Sequence, residues 1–196
     1  MNMMDAVKNL RFKTSAGMME CKEALKESGG DVGKAVDILR KKGIAKAAKK
    51  TDRTVGQGII ESYIHQGDRM GVLLEVNCET DFVARTDEFR KMTKDIAMQV
   101  AAAHPLYVER DEVAPETIEK EKEIARAQIK DKPAHVAEKI VEGKLEKYYS
   151  ETCLMEQPYI KDPNLKIKDL LTQAIAKTGE NMVIKRFSRF EVGEVS

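Results

Sequence analysis

The spacing of apolar residues changes once along this chain, and the change divides what the chain can fold into. Up to Gly43 the apolar positions recur at three and four. Ala6, Val7 and Leu10 make one stripe, Met18, Cys21 and Leu25 a second, and Val32, Ala35, Val36 and Leu39 a third. That period lines one face of a helix. From Gly58 the period becomes two: Met70, Val72, Leu74 and Val76 alternate with other residues, as in a half-buried strand. A helical module followed by a sheet-bearing core is the arrangement that accommodates both periods.

The punctuation agrees. "TSAG" and "ESGGD" separate the three helices, Asp31 is a natural N-cap for the third, and Gly43 is a natural C-terminal stop. "GIAKAAKKTDRTVGQG" is small, basic and nearly free of large apolar residues, and reads as a linker that can be helical in part. "GIIESYIHQ" and "RMGVLLEVNC" flank Gly67-Asp68 and predict a β-hairpin. Phe89, Met92, Ile96 and Val100 predict a long helix ending near His104-Pro105. Pro115 opens a helix carrying Ile118, Ala125 and Ile129, "DKP" at 131–133 breaks it, and Ala137, Val141, Leu145 and Tyr148 predict its hairpin partner. "MEQPYIKDPN" is extended. Ile167, Leu170, Leu171 and Ala174 predict a last helix stopped by Gly179, and "NMVIKRFSRFEV" a final strand. The class is α+β: a three-helix module over 1–43, a basic linker over 44–56, and an α+β core over 57–196 with an antiparallel sheet and a helical hairpin.

Composition narrows the function classes. Of 196 residues, 42% are hydrophobic and 34% charged, which suits a packed core under a solvated surface. No apolar run reaches the ~18 residues of a membrane span, and the N-terminus lacks a signal-peptide core, so a cytoplasmic protein is expected. With 34 basic against 33 acidic side chains the net charge is +1, without the basic excess of dedicated nucleic-acid binders. Cys21, Cys78 and Cys153, and His65, His104 and His135, are scattered, with neither disulfide-framework nor zinc spacing.

Motifs for catalysis fail on their own chemistry. "SGGDVGKA" is the nearest approach to a phosphate loop, but Ser28 replaces its first glycine, Ala35 stands where a hydroxyl must reach magnesium, and no strand precedes it. Carboxylate pairs such as Asp111/Glu112 sit in charge-rich, surface-like segments. No enzyme active site and no cofactor are implied.

Two features resist simple assignment. In "AGMMECK" the helical phase buries Met18 with Cys21 and Leu25, and leaves Met19 and Lys22 on another face, either as an adaptable docking surface or packed on the linker. Phe82, in "NCETDFVAR", lies seven residues before Phe89, so the period assigns it to the same buried stripe, with Thr80 or Asp81 as N-cap. The basic run Lys41, Lys42, Lys46, Lys49, Lys50 and Arg53 is the best nucleic-acid candidate, yet no aromatics interleave with it for base stacking, and a solvated linker accounts for it better.

"TSAGMMECKEAL", "GIAKAAKK", "EVNCETDFVAR", "EGKLEKYYSETCLMEQPYIKD" and "IAKTGENMVIKRF" together resemble the bacterial translation elongation factor Ts family, in the family's order and over nearly the whole chain, at the length of its short form. The resemblance implies a guanine-nucleotide exchange factor without an active site of its own. Its partner would be the GTPase elongation factor Tu, both GDP-bound and nucleotide-free. The three helices would be a ubiquitin-associated-like module. Asp81 and Phe82 would reach into the GTPase domain and displace its magnesium- and phosphate-binding elements. Arg11, Met18, Met19 and Lys22 would contact the same domain, and Thr178 and Gly179 would touch it from the turn before the last strand. Direct nucleic-acid or membrane partners are not implied; short members can work as homodimers, two Ts with two Tu. The chain departs from the family pattern at Ser15, where a glycine is common, and at Thr178, where many members have isoleucine. The phase reading of Phe82 and the family reading conflict: a wedge at Phe82 must be exposed in the free protein while Phe89, Met92 and Ile96 are buried.

Overall fold

A computed structural model describes residues 2–14, 16–129 and 132–194; Ser15 and Asp131, on which two of the readings above fall, lie outside them. The class is α+β. Helices α1 (Met3–Thr14), α2 (Met18–Glu27) and α3 (Val32–Ala48) are followed by strands β1 (Gln57–Ile64) and β2 (Met70–Cys78). Next come α4 (Asp81–Ala84), α5 (Asp87–Ala103), α6 (Pro115–Ala127) and α7 (Ala134–Thr152). Strands β3 (Pro158–Tyr159) and β4 (Asp162–Lys166), helix α8 (Ile167–Thr178) and strand β5 (Met182–Glu191) complete the order.

Two helix ends differ from expectation. Gly43 does not stop α3, which runs on to Ala48. The residues after it, "IAKAA", are mostly strong helix formers that outweigh one glycine. At Gly43 the helix passes close to α8: an added Cβ would stand 3.5 Å from that of Ala176. Ile129 falls beyond the end of α6 at Ala127.

Contacts divide the chain into two compact units, and the division differs from the one expected at 1–43, 44–56 and 57–196. One unit is Met1–Gly58 with Cys78–Arg85 and Leu171–Val183; the other is Ile59–Asn77 with Thr86–Leu170 and Ile184–Ser196. A sequence scan assigns boundaries to contiguous stretches, whereas here two short segments from later in the chain pack with the N-terminal helices.

In the first unit α1, α2 and α3 pack around Val7, Leu10, Cys21, Ala24, Leu25, Ala35 and Leu39. Asp31 caps α3 as expected, accepting from the Lys34 amide at 3.0 Å. In the second unit β2 lies between β1 and β5. The His65 amide donates to the Met70 carbonyl, and the Val192 amide to that of Arg69. Glu75 meets Arg186 at 2.7 Å, so Arg69–Val192 and Glu75–Arg186 fix an antiparallel register. The alternating residues Val72, Leu74 and Val76 are buried, as are Phe89, Met92, Ile96 and Val100 of α5. α6 and α7 form the expected hairpin over Val113, Tyr149 and Cys153. Glu156 is buried beside three cations, Arg110 at 3.1 Å, Lys166 at 2.9 Å and Lys168 at 3.3 Å. Burial raises its pKa, but these hydrogen bonds outweigh burial and hold it at about 2.

Candidate functional site

The residues singled out in the sequence, Arg11, Met18, Met19, Lys22, Asp81, Phe82, Thr178 and Gly179, all belong to the first compact unit. They reach it from three segments separated by most of the chain.

The segment after β2 is built by capping. Thr80 is the N-cap of α4; its Oγ1 accepts from the Val83 amide at 3.4 Å. That settles the choice between Thr80 and Asp81. α4 is a single turn, and Thr86 then caps α5 by accepting from the Phe89 amide at 3.2 Å. The chain therefore stops and restarts between Ala84 and Asp87. Counting back by seven from Phe89 runs across that restart and loses the helical phase. This is why the buried position assigned to Phe82 by periodicity is wrong: Phe82 is 78% exposed, Phe89 1%. Asp81 pairs with Arg85 one turn on at 2.9 Å, an exposed pair that contributes little.

Three residues that the sequence reading passed over, Glu79, Glu180 and Asn181, hold this turn. The Glu180 carboxylate accepts from the Thr80 amide at 3.0 Å and from its hydroxyl at 2.7 Å. Glu79 accepts from the Asn181 amide at 2.6 Å and lies 3.5 Å from Arg53. Asn181, buried, donates through Nδ2 to the carbonyls of Thr51 at 3.1 Å and Arg53 at 2.9 Å. The Thr178 hydroxyl accepts from the Glu180 amide at 3.3 Å, and Gly179 has φ +83°, a left-handed conformation that favours glycine. The turn between α8 and β5 and the turn before α4 are thus cross-linked.

At the N-terminal module the expected burial of Met18 is also wrong: Met18 is 44% exposed and Met19 64%. They are the first two residues of α2, where the Glu20 carboxylate turns back to accept from the Gly17 amide at 3.1 Å. Side chains in a helix lean toward its N-terminus, so in the first turn they project past the packed stripe that begins at Cys21. Met19 is too exposed to be packed on the linker. Lys22 is exposed on the same helix. Lys8, Arg11, Phe12, Met18 and Lys177 line an open groove of about 670 Å³, which brings Arg11 and Met18 together with the residue before Thr178. Phe12, 91% exposed, was missed; a large aromatic off the Ala6-Val7-Leu10 stripe was the available signal.

Chemistry inside the protein is unpromising for catalysis. All three thiols are buried, and burial pushes each pKa up. Among the described residues no group of three or more His, Cys, Asp or Glu side chains could hold a metal, and no helix is long and apolar enough to cross a membrane. The basic stretch is partly neutralised: Lys42 pairs with Glu27 at 2.8 Å, Lys46 with Glu20, and Arg53 with Glu79.

The model of the family described as Elongation factor TS matches residues 2–194. The chain belongs to the elongation factor Ts family. It is 61% identical over 191 residues to Elongation factor Ts of Thermotoga petrophila, covering 97% of this chain and 96% of the relative. It is equally identical over 189 residues to that of Thermodesulfovibrio yellowstonii, covering 96% and 94%. The Caldanaerobacter subterraneus relative is also 61% identical, over 191 residues, covering 96% of each chain. Membership makes this an elongation factor of the nucleotide-exchange kind, not an enzyme with its own active site.

Proposed function

We propose that the protein promotes GDP release from elongation factor Tu by inserting the Asp81-Phe82 turn into the GTPase and displacing the elements that hold magnesium and phosphate. The observation that carries this is a phenyl ring left 78% exposed on a one-turn helix whose cap, Thr80, is held by both oxygens of Glu180.

Exchange needs neither acid, base nor nucleophile. A factor that binds the nucleotide-free GTPase better than the GDP form weakens GDP binding by the same ratio. Burying one Phe side chain is worth roughly 1.5–3 kcal/mol, or on the order of 10- to 100-fold. A large acceleration therefore needs additional contacts. Arg11, Met18, Met19 and Lys22 supply a second surface, and Thr178-Gly179 a third. The reading involves no nucleic acid and no membrane, and puts the protein in the cytoplasm with translation. It is tested by release of a fluorescent GDP analogue from purified Tu. No acceleration at stoichiometric factor rejects it; Phe82→Ala is expected to slow release without unfolding the protein.

A second reading concerns assembly. Ile60, Ile64, Leu73 and Phe190 are all exposed large apolar residues on the three-stranded sheet. A Cβ on Gly71 would stand 3.0 Å from Ile64, which places Ile64 over Gly71 on the face shared with Leu73. The antiparallel register brings Phe190 to that face too. This apolar sheet face suits a second copy of the chain, giving the two-plus-two assembly with Tu. Sedimentation equilibrium of Leu73→Lys against the parent protein tests it: a parent monomer at high micromolar concentration rejects it.

A further inference from the structure

We infer that Glu180 and Asn181 are positioning residues for exchange, joining the Asp81-Phe82 turn, the Thr178-Gly179 turn and the chain leaving α3 into one rigid frame. This rests on the wedge reading of Phe82. Two adjacent pairs, Glu79-Thr80 and Glu180-Asn181, lie about a hundred residues apart in sequence and bind each other reciprocally. Both oxygens of Glu180 accept from Thr80, and Glu79 accepts from the amide of Asn181. Asn181 then reaches outward, its amide nitrogen donating to Thr51 and Arg53 just beyond the end of α3. None of these four residues projects a large side chain for a partner to grip; what they share is contact with the backbone or hydroxyl groups that set where Phe82 and Gly179 stand.

The arrangement answers a mechanical need. A four-residue helix has one turn, and one turn cannot hold itself in water. Left to its own cap, Phe82 would sample many orientations, and each would have to be frozen out when the GTPase binds. Contact groups that act in concert must be kept within about 0.5 Å of their working geometry by neighbours that are themselves locked. Here the lock is a carboxylate with both oxygens engaged and a buried carboxamide bonded to two carbonyls. Because Glu180 and Asn181 directly follow Thr178-Gly179, the same residues set the spacing between two of the three surfaces proposed to touch Tu.

The test is a double-variant cycle in GDP-analogue release from Tu, with saturating rate and half-saturating factor concentration measured separately. Glu180→Ala is expected to lower the saturating rate about tenfold and to leave the half-saturating concentration within about twofold. In the Phe82→Ala background the same substitution has no further effect, because Glu180 acts through that ring. Thr80→Ser, which keeps donor and acceptor, recovers rate relative to Thr80→Val. In the free protein, amide exchange at Val83–Arg85 quickens in Glu180→Ala while that of α1–α3 does not. Losses that multiply in the double variant, or a saturating rate untouched by Glu180→Ala, overturn the proposal. Should Glu180→Ala lower the melting temperature, the cycle is read with Glu180→Gln, which leaves one acceptor oxygen. If Phe82→Ala itself does not slow release, the wedge reading has failed, and the amide-exchange result alone decides the clamp.

Discussion

Phe82 and Phe89 stand seven residues apart on neighbouring helices, each just after a capping threonine, and the protein treats them oppositely. Phe89 opens a long helix whose stripe continues through Met92, Ile96 and Val100, so its ring joins a buried row. Phe82 opens a helix that ends two residues later, before any stripe can form, and its ring stays in solvent. A capped helix start does not decide burial; the length and pattern of the next two turns do. The carboxylates show a parallel contrast. Glu156 gathers cations and stabilises, whereas Glu180 grips neutral donors and positions.

The comparison breaks most visibly at Phe89. Phe89→Ala is expected to cost roughly 3–5 kcal/mol of stability, as large core truncations do, read from the urea midpoint. Next comes acid sensitivity at Glu156. Its pKa is about 2 in the folded protein against an ordinary 4.5, a depression. Its contribution, roughly 3 kcal/mol by linkage, is therefore present above pH 4.5 and lost as the pH falls toward 2. Glu156→Gln should flatten the stability–pH curve in that window; an unchanged slope means the cations do not hold the carboxylate as the geometry suggests. Phe82→Ala is expected to reverse the pattern of Phe89→Ala. Stability stays within about 0.5 kcal/mol, while exchange slows by on the order of 10- to 100-fold. A stability loss as large as that of Phe89→Ala would return Phe82 to the core. Met19→Ala should raise the half-saturating factor concentration about fivefold, for roughly 1 kcal/mol of partly buried side chain, with the melting temperature unmoved. Smallest is Thr86→Ala, which removes the cap that separates α4 from α5. It should cost about 1 kcal/mol and, by letting the two turns merge, lower exchange slightly; no change in either measurement would mean the restart at Asp87 needs no cap.

Much of this was legible in the chain. The period of three and four placed the buried faces of α1 through α3, and the period of two placed Val72, Leu74 and Val76 inside the sheet. Asp31, Pro115 and Gly179 stood at element ends because capping, fixed φ and positive φ are local properties of those residues. Of the helix ends that went wrong, Gly43 was outweighed by the helix formers that follow it, and Ile129 lies two residues past the end of α6 at Ala127. The candidate contact residues came from the family resemblance, and the buried places that spacing alone gave to Met18 and Phe82 were both wrong. Periodicity assumes an unbroken helix with a turn on either side. Met18 has no helical turn before it, and a capping threonine stands between Phe82 and the stripe it seemed to join.

By itself, then, the sequence determined the class, the order of the elements and the inward faces of the long ones, since these depend on side-chain spacing within a single helix or strand. Only the tertiary structure decided that Cys78–Arg85 and Leu171–Val183 pack with the N-terminal helices. It alone showed that Glu79, Thr80, Glu180 and Asn181 lock together and that Phe82 faces solvent. The physical reason is range. Hydrogen bonds between residues a hundred positions apart leave no periodic trace in the chain, and exposure at a helix end is set by what packs beside it.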